Sequence, residues 1–232
     1  MNDLDQISEK RRKEKELLER FIGRPVQYLI AHNVTPNILS YMGFFCSLLT
    51  SFFIAIGSIH FPIYIAWPAP FLFFMAGTFD IFDGEVARRT QQDSPTGAFL
   101  DSNIDRISDT VVIIGLIYSQ LINMNSVINY ILGFSIIFAQ LMISYTRSRA
   151  ESEGISMKGI GLMERAERII LLMIALIIES WVYNIFLFIT GSPFLLFFPI
   201  FIIFYLGTLI YTIGQRVVFS YKNLPKSTER NS

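Results

Sequence analysis

The sequence predicts an all-α integral membrane protein with six transmembrane helices, an N-terminal interfacial helix and both termini in the cytoplasm. Three observations carry this. Charged residues make up only 16% of the 232-residue chain and hydrophobic ones 52%, against roughly 25% charged in a soluble domain. The charges are also confined: 55 residues between Arg24 and Asp80 hold none, nor do 37 between Asp109 and Arg147, and 47 from Ile169 to Gln215 hold only Glu179. Finally, the basic residues collect at alternate ends of the apolar segments. The single Cys46 excludes a disulfide scaffold. Equal numbers of basic and acidic residues, 19 each, argue against nucleic acid as a partner.

A helical span needs about 20 apolar residues, so each uncharged run holds two spans if a turn divides it. Turn signals stand at Ser58-Ile59-His60-Phe61-Pro62, at Asn123-Met124-Asn125-Ser126 and at Thr190-Gly191-Ser192-Pro193. The expected spans are 36–57, 65–87, 98–121, 126–148, 165–189 and 194–216. Seven bases from Lys10 to Arg24 precede the first span. Arg88 and Arg89 follow the second, and Arg147, Arg149, Lys158, Arg165 and Arg168 lie between the fourth and fifth. Arg216, Lys222, Lys226 and Arg230 close the chain, whereas the three opposite turns hold no base. The positive-inside bias then puts both termini in the cytoplasm, as an even number of spans requires.

The first 24 residues mix Leu4, Ile7, Leu17, Leu18, Phe21 and Ile22 with many charges, the pattern of a helix lying on the cytoplasmic leaflet. No early apolar segment resembles a cleaved signal. The expected organisation is an interfacial segment over 1–24, a six-helix transmembrane domain over 25–220 and a tail over 221–232. The chain is expected in the cell membrane, its site facing the cytoplasm.

Charge enters the second and third spans in one pattern. Asp80, Asp83, Gly84 and Ala87 fall at i, i+3, i+4 and i+7, a single helix face; Gly97, Asp101 and Asp105 fall at i, i+4 and i+8, again one face. A short loop around Asp93, Ser94 and Pro95 makes the two helices antiparallel neighbours, so four carboxylates converge. Desolvation and like charge oppose their joint ionisation unless something compensates. All-oxygen ligands point to a hard divalent cation, Mg²⁺ or Mn²⁺, and four carboxylates suit two ions better than one. Gly84, Ala87 and Gly97 leave room for a ligand, and Arg88 adds a fork donor for phosphate. Together they read as a site for a pyrophosphate-bearing substrate. Small residues also serve helix packing, and membrane-embedded acids also serve cation or proton carriers. A carrier, however, has no need of Arg88 and two glycines at these spacings.

These eight residues, Asp80, Asp83, Gly84, Ala87, Arg88, Gly97, Asp101 and Asp105, resemble the signature of the CDP-alcohol phosphotransferase family without a departure. The likeness extends to the six spans and to Thr35-Pro36-Asn37 before the first of them. It implies transfer of a phosphoalcohol from a CDP-alcohol to an acceptor hydroxyl, with release of CMP. It further implies that Asp80, Asp83 and Asp101 ligate two metal ions, with Asp105 as a further ligand and the general base. The CDP moiety would be held by Gly84, Arg88 and Ser94, with Pro36, Asn37, Ala87 and Gly97 beside it. Ser40 departs from the Thr that relatives often carry.

Arg147, Arg149, Arg165, Arg168 and Arg216 cluster at the cytoplasmic ends of spans four to six. Guanidinium groups at one membrane level suit a second, phosphate-bearing substrate, although Glu151, Glu164 and Glu167 stand near enough to pair with them. The blocks resemble the family branch that uses inositol phosphate, in which residues matching Arg147, Arg165 and Arg216 hold the acceptor phosphate; Arg149 and Arg168 are added candidates. The expected partners are a CDP-lipid, with diacylglycerol or archaeol, a phosphorylated polyol and a second copy of the chain. Glycerol 3-phosphate is the alternative acceptor. Glu179 is expected toward the outer side, at the interface or paired within the bundle. Asp109 reads as a structural hydrogen-bonding group, His32 and His60 as too far apart to share a ligand, and Cys46 as core or lipid-facing.

Overall fold

A computed structural model describes residues 22–92, 94–119, 121–122 and 124–224. The interfacial segment expected over 1–24 therefore lies, up to residue 21, outside the described residues, as do Asp93, Lys226 and Arg230. Among the described residues the fold is all-helical. A first helix, α1, spans 22–31. It is followed by α2 (Pro36–Ala55), a short 3₁₀ turn (Ser58–His60), α3 (Pro68–Thr90), α4 (Pro95–Tyr118), α5 (Ser126–Ser152), α6 (Arg165–Thr190) and α7 (Phe197–Asn223).

Local chemistry explains the boundaries. Proline opens α2, α3 and α4, where its missing N–H removes no helical bond. The Ser94 hydroxyl caps α4 by accepting from the Gly97 N–H, and the Asn125 side chain caps α5 by accepting from Val127. Gly191, at φ 74°, ends α6 in the left-handed conformation that costs glycine least. The largest extensions beyond the expected spans are those of α5, which continues to Ser152, and α7, which continues to Asn223. No Pro or Gly interrupts either extension, and adding residues to an existing helix is easy. The expected boundary at residue 24 falls inside α1, whose Val26 is buried with Leu39 of α2 and Val86 of α3. This segment is packed onto the bundle.

Helices α2, α5, α6 and α7 are long and apolar enough to cross a membrane. Helices α3 and α4 are comparably long, at 23 and 24 residues, but their site acids and bases exclude them on composition. Large apolar side chains on the outer surface, such as Phe134 at 60% and Ile200 at 65% exposure, fit a multi-pass membrane protein.

Helix α2 packs against α3 and α4, α5 against α4 and α7, and α6 against α3 and α7. One close approach sets the α2–α4 spacing: a Cβ on Gly115 would lie 2.6 Å from the Ser51 carbonyl oxygen. The Ser51 hydroxyl also donates to the Val111 carbonyl at 2.7 Å. At the opposite end of the bundle from the acidic faces, Glu179 is buried and 2.8 Å from His60 Nε2, and that imidazole stacks on Tyr183. Of the two positions open to Glu179, the structure takes the paired one.

Candidate active site

The helical period brings the two acidic faces together. Asp80 on α3 and Asp101 and Asp105 on α4 each place a carboxylate oxygen within 4.8 Å of the others. Asp83 is the most buried of the four acids, and its Oδ2 accepts a 2.7 Å hydrogen bond from Ser40 Oγ on α2. Three helices thus contribute. The Asp101 Oδ1 atom is buried with no partner. An all-oxygen donor set with an unsatisfied buried oxygen fits a hard divalent cation.

A cavity of about 670 Å³ opens on one side of the cluster. Its walls hold Pro36, Asn37, Gly84, Ala87, Ser94 and Gly97, together with Asp83 and Asp101. Every residue expected around the CDP moiety is there except Arg88. That side chain pairs instead with Glu85 at 2.7 Å and is 63% exposed. A Cβ on Gly84 would lie 3.5 Å from Arg88 Nη1, so the small residue makes room for the guanidinium as well as for a ligand.

A second cavity, of about 500 Å³, lies on the other side and reaches Asp80, Asp101 and Asp105. It gathers Arg147, Arg165, Arg168 and Arg216 from three helices. Arg149 does not join them. It is turned toward Glu153, 2.5 Å away, and toward the Ser152 hydroxyl, because it lies two positions from Arg147 and so on another face of α5.

The four arginines are held differently. Arg216 is almost fully buried; its Nε donates to the Ile160 carbonyl at 2.9 Å and its Nη1 to the Ile143 carbonyl at 2.8 Å. Arg147 makes a 3.0 Å pair with Glu151 one turn away. Arg168 meets Asp109 Oδ2 at 2.9 Å, while its buried Nε has no partner. Arg165 points into the acidic cluster, 2.5 Å from Asp80 Oδ1 and 2.9 Å from Asp105 Oδ1. Asp109 is therefore the acid that ties both Arg165 and Arg168 to α4.

Sequence reasoning missed three residues. Gln92 lines the larger cavity; a polar residue just past Arg88 and Arg89 was its only signal. Arg106 lines the second cavity and donates to the Ser102 carbonyl and hydroxyl; a base adjoining Asp105 inside a span could have flagged it. Ser40 stood out only as a departure from Thr, and its partner is 43 positions away.

The family model described as CDP-alcohol phosphatidyltransferase matches residues 33–197. The chain belongs to this family. As a CDP-alcohol phosphatidyltransferase it is an enzyme of the phosphotransferase class. The match takes in both acidic faces and the larger cavity, and ends before Arg216. The archaetidylinositol phosphate synthase of Pyrococcus horikoshii is 35% identical over 169 residues, covering 73% of this chain and 81% of that protein. Crystal structures of Mycobacterium tuberculosis phosphatidylinositol phosphate synthase share the fold. The one with CDP-DAG bound has a TM-score of 0.69 at 22% identity, covering 87% of this chain and 94% of its own. The complex with manganese and citrate has a TM-score of 0.68 at 23% identity, covering 85% and 88%.

Proposed function

We propose that this transferase moves a phosphatidyl or archaetidyl group from a CDP-lipid to a hydroxyl of inositol 1-phosphate, releasing CMP. The observation that carries the reading is the meeting of two cavities at one carboxylate cluster: Asp101 lines both, and the arginines line only one. The similarity to a protein named archaetidylinositol phosphate synthase supports the choice of acceptor.

In this reading the larger cavity takes the CDP moiety, with the backbone at Gly84 and Gly97 allowing close approach. Asp80, Asp83, Asp101 and Asp105 would hold Mg²⁺ or Mn²⁺, two ions in all. Such ions withdraw charge from the pyrophosphate and stabilise CMP as leaving group. The acceptor phosphate lies against Arg147, Arg165, Arg168 and Arg216, which orients the inositol ring toward Asp105. Its hydroxyl oxygen attacks the phosphorus that carries the lipid alcohol; the bond from that phosphorus to the CMP oxygen breaks, and the hydroxyl proton passes to Asp105. A metal-bound carboxylate is a weak base, so Asp105 acts through position as much as basicity.

We further propose that the protein lies in the cell membrane with six spans, α2 to α7, has its termini and site on the cytoplasmic side, and forms a homodimer. The basic ends of α3, α5 and α7 support that orientation.

A radiolabelled CDP-lipid assay offering inositol 1-phosphate, glycerol 3-phosphate, free inositol and serine side by side tests the reading. Inositol 1-phosphate is expected to lead. Preference for serine or free inositol removes the arginine pocket, and preference for glycerol 3-phosphate keeps the pocket but changes the acceptor.

A further inference from the structure

Arg165 belongs to both halves of the site. It lines the arginine-rich cavity, yet its Nη1 lies 2.5 Å from Asp80 Oδ1 and 2.9 Å from Asp105 Oδ1. Those two acids, with Asp101, form the carboxylate cluster within 4.8 Å. The third direction of the fork, Nε, faces Asp109 Oδ1 at 3.5 Å. Arg165 is the first residue of α6 and follows a loop with Gly154, Gly159 and Gly161 at positive φ. Its long side chain therefore hangs from a helix end and is 24% exposed.

A divalent cation bound to carboxylates sits about 2.1 Å from each oxygen. A guanidinium nitrogen on the same oxygens would then stand only a few ångströms from that ion, where like charges repel strongly in a partly desolvated site. Sharing Asp80 Oδ1 and Asp105 Oδ1 between the two cations is therefore unfavourable. We propose that Arg165 is an internal counter-ion that contends with the divalent metal for these oxygens, so that metal loading turns its guanidinium into the acceptor cavity. There it joins Arg147, Arg168 and Arg216 and becomes a phosphate-binding group. This rests on the two-cavity reading given above.

The consequence is thermodynamic coupling. Turned toward Arg147, Arg168 and Arg216, the displaced guanidinium keeps Asp109 beside its Nε, but the hydrogen-bond partners its Nη1 leaves on Asp80 and Asp105 are replaced best by an added anion. Arg168, beside the same cavity, has a buried Nε with no partner. Metal thus raises affinity for a phosphate, and by linkage phosphate raises affinity for metal by the same factor. The coupling orders the site: a phosphate-bearing acceptor is held firmly only when the carboxylates carry their metal.

The test titrates Mn²⁺ into the purified full-length protein without CDP-lipid, reading free Mn²⁺ by electron paramagnetic resonance. It is run alone, with inositol 1-phosphate and with inorganic phosphate, each corrected for Mn²⁺ complexation by the anion. In the wild type either phosphate should tighten Mn²⁺ several-fold. Arg165→Gln should bind Mn²⁺ about tenfold more tightly than wild type with no phosphate present, equivalent to about 1.4 kcal/mol, and should lose the response to phosphate. Arg165→Lys, which keeps the charge but not the fork, should fall between them and serves if the Gln variant does not fold. Equal or weaker Mn²⁺ binding by these variants overturns the proposal, as does wild-type binding that ignores both phosphates. If inorganic phosphate couples to Mn²⁺ and inositol 1-phosphate does not, the counter-ion role stands and the acceptor assignment fails.

Discussion

Ser40 and Asp83, 43 positions apart, are joined by a 2.7 Å hydrogen bond from the hydroxyl to the carboxylate across the α2–α3 interface. Both residues are buried. The hydroxyl has a longer alternative acceptor in the Pro36 carbonyl at 3.3 Å, so the carboxylate takes the better geometry. The bond fixes the rotamer of the most buried acid in the site.

Ser40→Ala should therefore loosen Asp83. Hydrogen bonds to charged groups contribute about 1.5–3 kcal/mol, so Mn²⁺ affinity and kcat/KM should fall about tenfold or more. Ser40→Thr keeps the hydroxyl and should retain near-normal values. Identical Mn²⁺ titrations for Ser40→Ala and wild type would show that the hydroxyl does not orient Asp83.

Asp83→Asn and Asp101→Asn keep side-chain shape while removing charge from the cluster. Each should reduce turnover by more than about a hundredfold, the upper range for residues that merely support a metal. Full activity of either purified variant at ordinary metal concentration would remove the metal-site reading.

Three arginine variants separate the two cavities from the scaffold. Arg88 is not in the wall of the larger cavity, but its guanidinium lies beside Gly84, which is; Arg88→Ala should raise KM for the CDP-lipid and leave the acceptor KM alone. Arg147→Ala, at an exposed position paired with Glu151, should raise the acceptor KM without changing Tm. Arg216→Ala should raise the acceptor KM and also lower Tm, because it strips a donor from the Ile143 and Ile160 carbonyls; unsatisfied buried groups cost about 1–3 kcal/mol each. Thermal unfolding in detergent beside initial-rate kinetics distinguishes them. The same defect toward both substrates in Arg88→Ala and Arg147→Ala would defeat the division into two pockets.

Gly115→Ala tests the packing that aligns α2 with α4. The added methyl would meet the Ser51 carbonyl oxygen at 2.6 Å, and backbone yields less readily than the tip of a side chain. Overpacking of this kind costs about 1–3 kcal/mol, so Tm should fall with both substrate KM values nearly intact. A neutral result would mean the helices can separate freely.

By itself the sequence determined the helices and which acids share a face. Both are local properties. A run of about 20 apolar residues flanked by charge and broken by Gly or Pro can be read along the chain, and Asp80, Asp83, Asp101 and Asp105 fall into line through the 3.6-residue period alone. Likewise, the spacing that resembles the family signature lies within two adjacent helices. What only the tertiary structure decided is how those helices are registered against the others. The Ser40–Asp83 bond, the pairing of His60 with Glu179 119 positions on and the seating of Arg165 against Asp80 from 85 positions away depend on it. So does the exclusion of Arg149 from a cavity that takes its neighbour Arg147. Helical periodicity fixes relative angles within one helix but says nothing of its rotation or height beside another. Those are set by close contacts such as Gly115 against Ser51, where two backbones meet and leave one position that fits.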